Sequence, residues 1–121
     1  MTLSKESAVV LGIDIGTSGV RAVLMNSKFD VVAQSSSLMT DFGPNHRSPV
    51  VWWKSLESAL EQLRKEASEQ WSQVVGISVD GTSGTMLALN NEFEPIGDAL
   101  MYNDPVENPD VFEQIRQHAP R

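Results

Sequence analysis

The chain contains no cysteine, which excludes disulfides and thiolate metal sites. It is also short of positive charge. Nine Lys and Arg stand against sixteen Asp and Glu, giving a net charge of -7 at pH 7. Nucleic acid and anionic membrane surfaces both need clustered Lys and Arg, so neither is an expected partner. A local anion site built from backbone N–H groups stays open. Long apolar runs are missing as well. Met1 to Ser7 is polar and the apolar stretch after it is short, so neither a signal peptide nor a membrane span is visible. With no cysteine, that fits a cytoplasmic chain. Internal repeats and low-complexity segments are absent. Hydrophobic residues make up 40% of the 121, enough for the core of one small domain or of part of a larger one.

What is present centres on the stretch from Val9 to Met25. Val9 to Ile15 is apolar and β-branched except at Gly12 and Asp14, and reads as a strand. Gly16-Thr17-Ser18-Gly19 reads as a turn, and Val20 to Leu24 as a second strand with Arg21 its one charge. A carboxylate at the end of an apolar strand needs a reason, because burying it unpaired is costly. Phosphate chemistry supplies one. Two glycines let several N–H groups converge on one oxygen cluster. Thr17 and Ser18 add hydroxyl donors, Asp14 can hold Mg²⁺ through water, and Arg21 can add positive charge. The plainer reading is a hairpin with a polar turn. A strand follows the turn, so it is neither a Walker loop nor a dinucleotide-binding Gly-x-Gly-x-x-Gly turn.

Met1 to Ser7 is expected to be a loose lead-in. After the turn at Asn26-Ser27-Lys28, Phe29 to Ser37 reads as a third strand, completing an antiparallel meander. Leu38 to Val51 reads as loop, with His46 solvated. Trp52 to about Ser68 has helical spacing in Leu56, Ala59, Leu60, Leu63 and Ala67, with Ser48 or Ser55 as candidate caps. Trp52 and Trp53 are expected to pack in the core rather than stack on sugar. Val74 to Val79 reads as a buried strand returning parallel to the first by a right-handed crossover, which places Asp80 beside Asp14 at one sheet edge.

Asp80-Gly81-Thr82-Ser83-Gly84-Thr85 repeats the chemistry of the first loop: an acid, two glycines and three hydroxyls. It suits close approach of a polyhydroxylated ligand. Taken alone, a β-turn with Asx-type self-capping fits equally. Met86 to Leu89 reads as a further strand. Asn103 and Asp104 fit a ligand role or a turn before a helix. Asn108-Pro109 reads as the start of that helix, with Val111, Phe112 and Ile115 its apolar stripe.

The segments Gly12 to Gly19, Ile77 to Thr85 and Leu100 to Asn103 resemble the start of an FGGY carbohydrate kinase. They are most similar to the D-ribulose kinase (xylulose kinase-like) branch of cyanobacteria and plants. The resemblance implies a ribonuclease H-like (actin-like ATPase) α/β domain with a mixed sheet in βββαβ order. Residues 9–121 would be the N-terminal part of the first of two domains. It implies ATP and Mg²⁺ as cofactors and a ketose, D-ribulose or D-xylulose, as substrate. Asp14, Asp80, Ser83 and Asn103 would bind sugar. Gly16, Thr17, Ser18, Gly19 and Arg21 would bind phosphate, and Asp14 would hold Mg²⁺ through water. The family's catalytic base falls beyond Arg121, so the isolated chain is expected to be inactive. A half-cleft without its second domain is a surface for self-association into a homodimer. The rivals are a kinase of glycerol or another polyol, and a non-catalytic sugar- or phosphate-binding or assembly module of the actin-like superfamily.

Overall fold

Four strands form one mixed sheet in a computed structural model that describes residues 7–120. The expected loose lead-in lies almost wholly on residues 1–6, outside the described residues. β1 (Val9–Ile15), β2 (Gly19–Asn26) and β3 (Val31–Leu38) make the antiparallel meander. Helix α1 (Pro49–Glu66) and one further helical turn, α2 (Ser68–Trp71), lead into β4 (Val74–Gly81). β4 pairs parallel to β1, so the order across the sheet is β3-β2-β1-β4. The mixed sheet with βββαβ order is therefore present.

Period-two alternation decides which face is covered. Val9, Leu11 and Ile13 of β1 and Val20, Ala22 and Leu24 of β2 are buried. Against them α1 lays Val51, Ala59 and Leu63, one face of a 3.6-residue period. Two buried hydroxyls tie helix to sheet edge. Ser35 donates to the Ala59 carbonyl at 2.7 Å, and Ser55 to the Ser37 carbonyl at 3.2 Å. Ser55 is thus a core residue rather than a cap. Ser48 stands at the N-cap, but only its carbonyl serves there, accepting from Val51 and Trp52 N–H groups.

Several local expectations change. The third strand starts at Val31, because the Asn26 side chain accepts from the N–H groups of Lys28 and Asp30 and holds Phe29 in a turn at φ 68°. The loop after β3 opens with a single 3-10 turn at Met39–Asp41, and α1 begins at Pro49, whose fixed φ suits a first helical position. β4 was expected to be buried. Instead Val75, Ile77 and Val79 are exposed, since α1 lies over β2 and β3 and stops short of β4. Met86 to Leu89 is no strand: it makes two isolated bridges, Met86–Leu100 and Leu89–Pro95. The last helix, α3 (Pro109–His118), has Asn108 as its cap, accepting from Asp110 N–H at 3.0 Å. Its stripe of Val111, Phe112 and Ile115 stays exposed. Trp53 is 62% exposed, so its expected core role fails; of this pair, Trp52 alone packs against the core.

Candidate active-site cleft

β1 and β4 run parallel, so their C-terminal ends meet at one edge of the sheet. Ile15 is the register partner of Gly81, and Asp14 that of Asp80. The loops after these strands, residues 16–18 and 82–85, therefore stand side by side. Two other segments close the space in front of them. One is the loop before α1, residues 45–47; the other is the segment 98–104.

The first loop is a tight connection in which Gly16 N–H donates to the Gly19 carbonyl at 2.9 Å. Neither glycine needs a positive φ. Gly19 is required for a different reason: a Cβ there would lie 2.6 Å from the Ser37 carbonyl oxygen of β3. Met39 N–H donates to the Ser18 carbonyl at 2.9 Å, pinning the loop from the other side. In the second loop Asp80 accepts from its own Gly81 N–H at 2.8 Å, and the Thr82 and Thr85 hydroxyls meet at 2.7 Å. Gly84 has φ +70°, a left-handed conformation in which a Cβ would press on Tyr102 at 3.1 Å.

The two wall segments are strapped together. Asn45 donates to Asp98 at 2.7 Å, Ala99 N–H donates to the Arg47 carbonyl at 2.9 Å, and Arg47 forms an ion pair with Asp104. Asp104 also accepts from Met101 N–H at 2.8 Å. Trp52 Nε1 donates to the His46 carbonyl at 2.6 Å, which fixes the indole across the floor.

The cleft has two lobes that share Met101. One, of about 330 Å³, is lined by Gly16, Trp52, Val79, Asp80, Thr82 and Thr85 among others. The other, of about 300 Å³, is lined by Thr17, Ser18, His46, Arg47, Met101 and Asn103. Of the expected site residues, Gly16, Thr17, Ser18, Asp80 and Asn103 thus come together. Asp14 and Arg21 do not join them. They are partners across β1 and β2 on the uncovered sheet face, where they line a hollow with Gly12, Ser78 and Asp80. Asp80 borders both spaces. Gly19 is packed into β3, and Ser83 lies on the loop without lining either lobe.

Sequence reading set His46 aside and did not single out Arg47 or Met101. Arg47 meets Asp104 across 57 positions, a separation no local pattern encodes. Among the described residues no helix is long and apolar enough to cross a membrane.

Comparisons with known proteins agree with this fold. The model of the N-terminal domain of the FGGY family of carbohydrate kinases matches residues 9–118. The chain is 32% identical over 99 residues to the xylulose kinase of Lactococcus lactis subsp. lactis (strain IL1403), covering 78% of this chain and 20% of that protein. It is 31% identical over 99 residues to the xylulose kinase of Escherichia coli (strain K12), with the same coverage. The chain thus spans about a fifth of the length of these curated relatives. Among solved structures, a xyloylose kinase from Brucella ovis superposes with a TM-score of 0.80 at 25% identity, over 90% of this chain and 24% of that one. The xylulose kinase from Rhodospirillum rubrum gives 0.75 at 26% identity, over 90% and 23%. The shared fold is that of the ribonuclease H-like, actin-like ATPases. The chain belongs to the FGGY family of carbohydrate kinases, and residues 9–118 fall in that family's N-terminal domain.

Proposed function

We propose that this chain is the sugar-binding part of an ATP-dependent carbohydrate kinase that phosphorylates a ketose, D-xylulose or D-ribulose. One observation carries the reading. Two loops, each with an acid, glycines and hydroxyls, end adjacent parallel strands with Asp14 opposite Asp80, and both open on one cleft. Open α/β sheets place ligands at such an edge.

In this reading the second loop and Asn103 take the sugar. Asp80 and the Thr82, Ser83 and Thr85 hydroxyls offer paired donors and acceptors, and Gly81 and Gly84 keep side-chain bulk away. The face of Trp52 supplies an apolar floor. Gly16 to Ser18 face the phosphoryl group in transfer, with Gly19 holding their turn against β3. ATP supplies the phosphoryl group when bound. Asp14 and Asp80 line one hollow on the uncovered sheet face and would offer Mg²⁺ two neighbouring hard oxygen donors there, with Asp80 alone also bordering the cleft. Mg²⁺ commonly keeps its waters and uses one or two carboxylates together with substrate phosphates. Asp14 would hold it through water.

The chain spans a fifth of its curated relatives, so turnover is assigned to the longer protein, with its base and most of its nucleotide pocket outside these residues. The isolated chain is then inactive, and it acts in the cytoplasm without nucleic acid or membrane partners. Homodimerisation belongs to the same reading: β4 leaves one edge unpaired among the described residues, and its Ile77 is 67% exposed. Xylulose kinases among the relatives favour D-xylulose, whereas the resemblance of the Asp80 to Thr85 loop to the D-ribulose kinase branch favours D-ribulose. The two sugars differ in the configuration of one hydroxyl, so a hydrogen-bonding loop is what would separate them.

Amide NMR of the chain titrated with D-xylulose, D-ribulose and glycerol tests this. The proposal predicts ketose-dependent shifts at Thr82, Ser83, Thr85 and Asn103. Equal response to glycerol would favour a general polyol kinase, and no response to either ketose would contradict sugar binding by this chain.

A further inference from the structure

We infer that Asp104 is a positioning residue of the ketose site: it closes the turn that carries Met101 and Asn103, and Arg47 holds it in place. The inference rests on the kinase reading above and adds to it the group that sets one wall of the sugar site.

Met101-Tyr102-Asn103-Asp104 is a closed turn. Asp104 N–H donates to the Met101 carbonyl at 3.0 Å, the main-chain bond of a β-turn. The Asp104 carboxylate in turn accepts from Met101 N–H at 2.8 Å. Both backbone groups of Met101 therefore end on Asp104, with Tyr102 and Asn103 between them. Pro105 follows and restricts the Asp104 backbone to extended conformations.

The turn is docked on the second loop at two neighbouring points. Gly84 admits it by lacking a Cβ, which would lie 3.1 Å from the Tyr102 Cβ. One residue on, the Thr85 hydroxyl donates to the Met101 sulfur at 3.8 Å and meets the Thr82 hydroxyl at 2.7 Å. A hydroxyl has one proton to give. With that of Thr85 on the sulfur, Thr82 donates to Thr85, and the Thr82 oxygen keeps its lone pairs for a sugar hydroxyl. Shifting the turn takes the sulfur away from Thr85 and undoes this order.

Arg47 fixes the carboxylate. The Asp104 side chain is only 16% exposed, and a carboxylate so covered needs partners. One oxygen takes Met101 N–H and the other pairs with the Arg47 guanidinium. Arg47 is itself anchored, since its carbonyl accepts from Ala99 N–H at 2.9 Å. Without the guanidinium the covered charge stands unpaired. Turning it out to water would release Met101 N–H. Asp104 touches no substrate in this account; it acts through Met101 and Asn103.

The test is NMR titration of the chain with D-xylulose and D-ribulose for wild type, Arg47→Gln, Asp104→Asn, Asp104→Ala and the double variant Arg47→Gln/Asp104→Asn, with a urea melt of each. Asp104→Ala should raise the midpoint for the preferred ketose about tenfold and narrow the difference between the two sugars. Asp104→Asn keeps an oxygen for Met101 N–H and should lose less. It also covers the case in which the alanine variant fails to fold, since its midpoint must still lie above that of wild type. The double variant should bind no worse than the weaker of its two singles, because both break the same ion pair. A merely structural role would weaken both ketoses alike, so an unchanged ratio of midpoints overturns the assignment. Fully additive losses in the double variant would overturn it as well. A wild type that binds neither ketose overturns the kinase reading itself. Ketose binding that stays at the wild-type level in every Asp104 variant leaves the sugar site standing and removes Asp104 alone.

Discussion

Asp14 and Asp80 sit directly opposite one another across the parallel pair of β1 and β4. Neither carboxylate has an ion-pair partner among the described residues. Like charges placed this way oppose each other, typically by about 0.2–1 kcal/mol. Asp80→Asn keeps the oxygen that accepts from Gly81 N–H, so it removes charge without undoing the turn. Asp80→Asn is therefore expected to leave urea stability unchanged or raise it by up to roughly 1 kcal/mol, and Asp14→Asn, which also removes the charge opposite Arg21, to gain less. Both should abolish Mg²⁺-dependent amide shifts around Ile15 and Gly81. Loss of stability with Mg²⁺ response intact would argue that the pair is structural.

Much of this edge is legible in the sequence. The apolar run from Val9 to Ile15, the crossover helix and the run from Val74 to Val79 together force the two acids to one place. The loops are legible because glycine and hydroxyl residues cluster after each strand. The rest depends on contacts with no local trace. The burial of β4 is misjudged because strand composition does not tell where a helix stops covering a sheet. Met86 to Leu89 fails as a strand because its pairing partners, Pro95 and Leu100, give single bridges rather than a ladder. Arg47 is invisible since its environment is set by Asp98, Ala99 and Asp104, far along the chain.

Gly19 should be intolerant of a methyl group even though its φ is ordinary. Gly19→Ala puts a Cβ against the Ser37 carbonyl and should cost about 1–3 kcal/mol in urea unfolding. Gly76→Ala, whose Cβ would meet only Val10 at 3.9 Å, should change stability much less. Equal costs would show that backbone freedom, not the contact with β3, is what Gly19 provides.

Core and periphery should separate sharply. Leu63 is fully buried between α1 and the sheet, so Leu63→Ala should cost about 2–5 kcal/mol. Phe112 on α3 is 53% exposed, and Phe112→Ala should stay within about 0.5 kcal/mol. A comparable loss in both would place α3 in the folded core.

The two adjacent tryptophans should report on different things. Trp53 is exposed, while Trp52 lies on the cleft floor with its indole N–H on the His46 carbonyl. Trp53→Phe should remove the emission most accessible to acrylamide yet keep any ketose-induced change. Trp52→Phe should lose that change. The opposite assignment would move the sugar away from the first lobe.

Glu61 on α1 should titrate low. Hydrogen bonds from Arg64 and Lys65 stabilise its carboxylate, lowering its pKa from 4.5 to about 2. A folded pKa below the unfolded one means the group favours folding above about pH 4.5, and that this contribution fades as pH falls towards 2. The pair is solvent-exposed, so salt should screen it and move the NMR midpoint of Glu61 upward. A midpoint near 4.5 at low salt would contradict the contact geometry.

The central claim is that this domain binds a ketose through the loop following β4. Calorimetric titration of D-xylulose and D-ribulose into wild type, Asp80→Asn and Thr82→Ala tests it most directly, since both side chains line the first lobe. The account predicts weak but measurable binding of one ketose by wild type, and its loss in both variants with the fold retained. Well-folded wild type that binds neither sugar, or variants that bind as wild type does, would contradict it.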